Sequence, residues 1–142
     1  MTKSLNTNWT DQDFEVMDWH DNFIDSISFP SENLILKLNI DYILEWIKPD
    51  NEELYQFKVA LAKLEFYNVL NLTIDLAFSN TACLYIDEIL RSNRRLSPNR
   101  KGFLWDYKIK TDKGSITFDS TGFTQTLISQ PQISHSQRFM DA

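Results

Sequence analysis

The chain has 142 residues and a formal net charge of −6, and 42% of its residues are hydrophobic, with 13% aromatic. This length fits one domain, and the apolar content is too high for a disordered chain. The acidic balance disfavours nucleic acid and anionic membranes as partners, because phosphate binding draws on clustered Lys and Arg.

The single cysteine and the absence of long apolar runs indicate the cellular compartment. Cys83 cannot close an internal disulfide, so the fold is expected to depend on its core and to suit a reducing compartment. Residues 1–12 lack the apolar core of a signal peptide, and no run approaches the roughly 20 apolar residues of a membrane span. We therefore expect a cytoplasmic protein.

The first predicted element is a short helix over residues 11–17. Thr10 is a suitable N-cap, and the acidic residues that follow it favour the positive end of the helix dipole. Phe14 and Met17 lie at helical spacing. The helix is expected to lead directly into the Trp-His-Asp element at residues 19–21.

A long strand at residues 33–47 is the element around which the rest of the chain is organised. Its even positions from Leu34 to Trp46 are all apolar or aromatic, whereas its odd positions are mostly polar. This period of two is typical of a strand with one buried face. The strand is about twice the usual length, so we expect it to span a whole sheet and to bend.

An imperfect strand at residues 23–29 precedes the long strand and predicts a hairpin. The turn-rich residues 30–33 would form a four-residue loop. Matching the two apolar faces places Phe29 opposite Leu34 and puts Asp25 on the buried face.

Three further strands are predicted in the middle of the chain. In residues 55–69 the apolar positions change from odd to even numbers, which predicts a β-bulge near residues 62–63. Residues 70–78 alternate regularly after a turn at 68–71. Residues 83–90 fit either a strand or a helix, and the flanking strands favour a strand.

A second hairpin is predicted at residues 103–119. Face matching places Ile109 opposite Ile116 across a four-residue loop, and Gly114 supplies the positive φ that the turn needs. A last strand follows at residues 123–128.

The predicted elements define a mainly β fold. They comprise seven or eight mostly antiparallel strands and one short N-terminal helix, arranged as a sandwich or a curved, partly closed sheet. Residues 1–128 are expected to form a single β-rich domain. The polar segment 129–142 lacks periodicity and is expected to be a flexible C-terminal tail.

Two segments resemble known bacterial proteins: residues 13–21, DFEVMDWHD, and residues 40–46, IDYILEW. They resemble uncharacterised small proteins that begin with a Trp-His-Asp element and carry a long central strand. They are also similar to immunity-protein families of bacterial toxin systems. The resemblance covers the first half of the chain, and residues 114–125 show a weaker similarity. It implies a β-rich, single-domain cytoplasmic protein and supplies no catalytic residues.

The first candidate site is the set of His20, Asp21 and Asp25. These side chains could begin a general acid–base or ligand-binding cluster. A metal centre needs three or four converging ligands, and the chain has only two histidines, so we expect no metal or cofactor. The alternative interpretation is structural: His20 hydrogen-bonds the backbone where the helix meets the sheet, and Trp19 fills the core beneath it.

Asp41 and Glu45 are a second pair of candidates, on the polar face of the long strand. The strand rise separates them by about 13 Å. Paired glycosidase carboxylates lie roughly 5–9.5 Å apart, so we interpret the two acids as a solvated face. Cys83 has no histidine nearby in sequence that would activate it as a nucleophile.

Residues 91–101 form the most basic segment, which is predicted to be a loop. Its five basic side chains have no acid between them, and Arg94 and Arg95 at its centre could contact an acidic partner or a phosphate. The remainder of the chain is correspondingly acidic and could attract a basic partner.

The sequence leaves three classes of function open. The first is a non-enzymatic protein-binding module, whose acidic scaffold suits a basic partner such as a toxin domain. The second is a small enzyme or ligand-binding protein that uses His20 and the nearby acids. The third is a structural subunit that assembles through sheet edges, and the sequence does not determine an oligomeric state.

Overall fold

The computed structural model describes residues 6–48, 50 and 55–139. These ranges contain ten strands and one short 3₁₀ helix, Asp11–Val16. The strands are β1 (Asn8–Thr10), β2 (Phe23–Ser28), β3 (Leu36–Ile47), β4 (Gln56–Tyr67), β5 (Leu70–Leu76), β6 (Ile86–Leu96), β7 (Phe103–Thr111), β8 (Gly114–Ser120), β9 (Gly122–Leu127) and β10 (Gln132–Ser134). The predicted mainly β, antiparallel class is confirmed.

The strands form two antiparallel sheets. The first sheet has the order β1-β9-β4-β3-β2, and β10 also pairs with β4; the second has the order β5-β8-β7-β6. Backbone hydrogen bonds join them where β2 begins: the N–H of Asp21 donates to the carbonyl of Ile86 at 2.8 Å, and the N–H of Ile24 donates to that of Leu84 at 2.9 Å. The residues around His20 therefore lie at a junction between the sheets.

The main core lies between the two sheets. The even-numbered residues of β3 from Leu36 to Tyr42 are buried there, as the alternation of the long strand predicts. Leu34 and Trp46, which the same alternation places on the buried face, are instead exposed. Phe66 of β4 and Tyr107 of β7 meet at the centre, with ring centroids 5.1 Å apart.

The predicted N-terminal helix is present, as a 3₁₀ helix. Thr10 caps it: the N–H of Gln12 donates to Thr10 Oγ1 at 3.3 Å, and the N–H of Thr10 donates to Asp13 Oδ2 at 2.9 Å. This reciprocal arrangement is a capping box. The ring of Phe14 packs 5.8 Å from that of Trp19, so the helix covers one side of the core.

The first hairpin is present, but its predicted register is wrong. Ile27 pairs with Leu38, and Ile24 pairs with Ile40. Asp25 is the extra residue of a β-bulge in β2, and it is exposed rather than on the buried face. The connection is longer than predicted and includes Leu34 in a left-handed conformation, with φ 58°.

The bulge predicted near residues 62–63 is also misplaced. β4 pairs with β3 without interruption there, and the bulge lies in β3, between Ile43 and Glu45. The apolar phase of β4 changes because both of its faces are covered. Phe57 and Val59 pack with Ile43 in a second cluster on the outer face of the first sheet.

The remaining strands agree with the sequence more closely. The ambiguous segment at 83–90 contributes to strand β6, which extends to Leu96, so most of the basic segment predicted as a loop is strand. In the second hairpin Ile109 pairs with Ile116, and Gly114 has φ 139°, both as predicted. The loop is shorter than the predicted four residues, because Thr111 pairs with Gly114.

The segment predicted as a flexible tail makes defined contacts over residues 132–139, which we call the strap. Its β10 pairs with β4, with Ile133 opposite Lys58. Phe139 then packs on the outer cluster of Ile43, Phe57 and Val59. The mobility of the strap stays a prediction, and residues 140–142 lie outside the described ranges.

Candidate functional site

His20 lies in the turn between the 3₁₀ helix and β2, beside Asp21, Trp46 and Asp87. Its Nε2 lies 3.6 Å from Asp21 Oδ2, and its Nδ1 lies 3.1 Å from the backbone oxygen of Asp87. Its ring stacks on Trp46, with centroids 6.2 Å apart and an interplanar angle of 18°. The contact between His20 and the Asp87 backbone is of the kind that the structural interpretation of His20 predicts. The His20 side chain is nevertheless half-exposed.

The surroundings of His20 favour its charged form. The hydrogen bond to the Asp87 carbonyl raises the pKa of His20 most, and the negative charges of Asp21, Asp18 and Asp87 raise it further, against the effect of partial burial. The imidazolium form is therefore stabilised by this acidic surface.

Asp41 is not on a solvated face, contrary to the prediction. It is 2% exposed, and its Oδ2 accepts a hydrogen bond from the N–H of Phe139 at 2.9 Å. Its other oxygen, Oδ1, is buried and has no hydrogen-bond partner among the described residues. Burial and Asp25 raise the pKa of Asp41 to about 7, although the Phe139 N–H and Arg138 oppose that shift. Glu45 lies beyond the β3 bulge and is exposed.

The strap brings the two groups of acids under one segment. Gln137 Nε2 donates to Asp21 Oδ2 at 3.0 Å, and two residues later the N–H of Phe139 donates to Asp41. Between them, the guanidinium of Arg138 lies 3.8 Å from the ring centroid of Phe23. His20, Asp21, Asp25 and Asp41 thus share the outer side of the first sheet, as two neighbouring clusters.

Trp19 belongs to the core and not to the surface site. It is buried, and its Nε1 donates to Gln125 Oε1 at 2.8 Å. Its ring packs edge-on against Phe123 at 5.7 Å. This position agrees with the interpretation that Trp19 fills the core beneath His20.

The basic candidates lie on β6 of the second sheet and have partners there. Arg95 Nη1 pairs with Asp106 at 2.8 Å, and the guanidinium of Arg94 lies 3.6 Å from the ring centroid of Phe103. Arg91 lies between the rings of Phe14 and Trp105, at 4.3 and 4.1 Å. Arg91 and Arg94 line a groove of about 440 Å³ with the 3₁₀ helix.

Sequence reasoning missed Asp87, Trp46 and the strap as components of the site. Residues 20, 46, 87 and 137 are far apart in the chain, and only the pairing of the strands brings them together. Within the described ranges, no three His, Cys, Asp or Glu side chains are grouped to hold a metal ion.

Comparisons with protein-family models, curated proteins and solved structures find no match. In the part of the chain that the structure describes, no helix combines the length and apolarity needed to cross a membrane. Function is therefore inferred from the side chains themselves.

Proposed function

We propose that this protein is a non-enzymatic binding module that recognises a basic protein partner through the acidic surface around His20. The observation that carries the proposal is the convergence of Asp18, Asp21 and Asp87 on His20 beside Trp46. An acidic patch on a chain of net charge −6 would steer a basic partner and raise its association rate. Trp46 is half-exposed and supplies the aromatic surface typical of interface anchors.

The partner that we propose is a basic toxin domain, encountered in the cytoplasm. The similarity of residues 13–21 and 40–46 to immunity-protein families supports this choice, because such proteins neutralise toxins by binding them. The acidity of the chain supports it independently, since a basic effector is the complementary charge type.

A second candidate function, an enzyme or ligand-binding protein, is favoured by the Asp25–Asp41 pair. A carboxyl group that retains its proton near neutral pH can act as a general acid. We prefer the binding module because Asp41 is buried and covered by the strap, whereas the acids around His20 face solvent. Assembly through sheet edges stays a third prediction, which light scattering at high protein concentration tests directly.

Reversing one charge in the patch tests the binding proposal. Asp87→Lys is expected to weaken binding of a basic toxin domain by about tenfold at low salt, because it replaces an attraction with a repulsion. The measurement is calorimetric titration against a panel of basic toxin domains, at about 50 mM and about 500 mM salt, where screening should reduce the difference.

Asp75→Lys is the matched control, since Asp75 is exposed on β5 of the second sheet. It makes the same change in net charge away from the patch and is expected to change the affinity less than about twofold. Equal losses in the two variants would indicate a non-specific charge effect, and a panel in which no domain binds would refute the partner class.

A further inference from the structure

We propose that the strap occupies a peptide-binding groove on the outer face of the first sheet, and that the groove takes an extended basic segment of a partner protein in its place. The partner segment would add to the edge of β4 and insert an aromatic side chain where Phe139 lies. This groove is a surface additional to the one around His20, and its test does not depend on a toxin as partner.

The strap covers the edge of β4 at residues 57–59. β4 pairs with β3 along one side. On its other side β9 pairs with residues 62–67, and β10 of the strap pairs with residues 57–59. Without β10, no other strand of the described ranges would pair with that part of the edge. An unpaired edge accepts an added strand, which is a common mode of peptide recognition.

Beside this edge lies an apolar site that holds one aromatic ring. The outer cluster of Ile43, Phe57 and Val59 is buried, and Phe139 of the strap packs on it. Within the described ranges, no residue of the strap is itself fully buried, and Ile133 is 61% exposed. The site is therefore well formed, whereas its occupant lies at the surface. A segment held in this way is of the kind that opens at a low cost in free energy.

Asp41 offers a polar contact that the strap leaves incomplete. Its Oδ2 accepts a hydrogen bond from the N–H of Phe139 at 2.9 Å. Its Oδ1 is also buried and has no hydrogen-bond partner among the described residues. A buried acceptor without a donor costs free energy. A Lys or Arg side chain of a partner that reached Oδ1 would form a charge-assisted hydrogen bond, which would favour displacement of the strap.

The contacts of the strap indicate which residues the groove selects. Arg138 directly precedes the aromatic anchor, and its guanidinium lies 3.8 Å from the ring centroid of Phe23. Gln137 Nε2 donates to Asp21 Oδ2 at 3.0 Å, and the charge of Arg138 acts on Asp41. Because two acids contact this part of the strap, a segment with two cations there would complement the groove better than the strap does. We therefore expect basic residues followed by an aromatic one.

A labelled peptide with the sequence of residues 130–139 tests the groove in the full chain. In the wild type the strap competes with this peptide at an effective concentration on the order of millimolar. Phe139→Asp should release the strap, because it puts a carboxylate against the apolar cluster and beside Asp41. Fluorescence anisotropy is expected to show at least about tenfold tighter binding to this variant than to the wild type. Phe139→Ala removes the anchor without adding a charge and should also tighten binding.

Ile133→Asp is the matched control for the released strap. It makes the same change of charge in the same segment, at an exposed position. Its affinity for the peptide is expected to stay within about twofold of the wild-type value. Equal affinity of the peptide for the wild type, the control and both Phe139 variants would show that the strap does not occupy a peptide-binding groove, and would overturn the proposal.

Selection from a library of random peptides on the Phe139→Asp chain tests the chemistry of the ligand. Peptides with Lys or Arg directly before an aromatic residue are expected to be enriched, and the preference for Lys and Arg should be lost when Asp21→Asn and Asp41→Asn are added. Enrichment of aromatic residues without basic ones would refute the partner class. A dimeric mass of the wild type in light scattering that becomes monomeric in Phe139→Asp would show that the groove takes the strap of a second copy, and would equally overturn the proposal.

Discussion

Phe66→Ala is expected to reduce the free energy of unfolding by about 3–5 kcal/mol. Phe66 is fully buried in β4, where three other rings surround it. The centroids of Phe118, Tyr107 and Phe123 lie 4.7, 5.1 and 5.5 Å from its own. Because these rings come from both sheets, a collapse of one sheet towards the other cannot fill the cavity without disturbing their mutual packing.

Equilibrium denaturation followed by far-UV circular dichroism measures this loss. Phe29→Ala is the matched control, because Phe29 lies in the first hairpin loop and is 69% exposed. That variant is expected to change the stability by less than about 0.5 kcal/mol. Similar losses in the two variants would contradict the position of Phe66 at the centre of the core.

Gly114→Ala is expected to cost about 2 kcal/mol or more, the second largest effect that we predict. Gly114 closes the turn of the second hairpin with φ 139°, a conformation that L-residues rarely adopt. A Cβ at this position would collide with the backbone carbonyl oxygen of Asp75 on the neighbouring β5. Backbone cannot rotate away as a side chain can, so β5 or the turn must shift.

Gly102→Ala provides the comparison for this turn. A Cβ at Gly102 would meet no atom within 4 Å, and its φ lies outside the left-handed range. Alanine there should leave the stability unchanged or raise it by up to about 1 kcal/mol, because it restricts the unfolded chain. The same denaturation experiment applies, and a Gly114→Ala protein as stable as the wild type would show that the turn tolerates a side chain.

The two hairpins show how far alternation alone determines register. In the second hairpin Gly114 forces a tight turn, so matching the apolar faces leaves one solution, and Ile109 pairs with Ile116 as predicted. In the first hairpin the loop is longer. A slip of two residues keeps every side chain on its own face, so Ile27 can match Leu36 or Leu38 equally well by pattern. The structure selects Leu38 and accommodates the difference with a bulge at Asp25.

The candidate site was less predictable than the fold. His20 and Asp21 do form a surface cluster, but its other members come from distant strands. Asp41 occupies one of the odd-numbered, polar positions of β3, and the alternation predicts that its side chain is exposed to solvent. It is buried because Phe139, 98 residues later, lies over it. No local pattern carries that information.

The sequence by itself determined the β class, the inward face of the central part of the long strand, the N-terminal cap and the register of the second hairpin. These features depend on periodicity and on backbone preferences, which act over a few residues. Only the tertiary structure decided the register of the first hairpin, the docking of the strap and the burial of Asp41. Those depend on desolvation and on contacts between residues far apart in the chain, and such contacts exist only once the sheets have assembled.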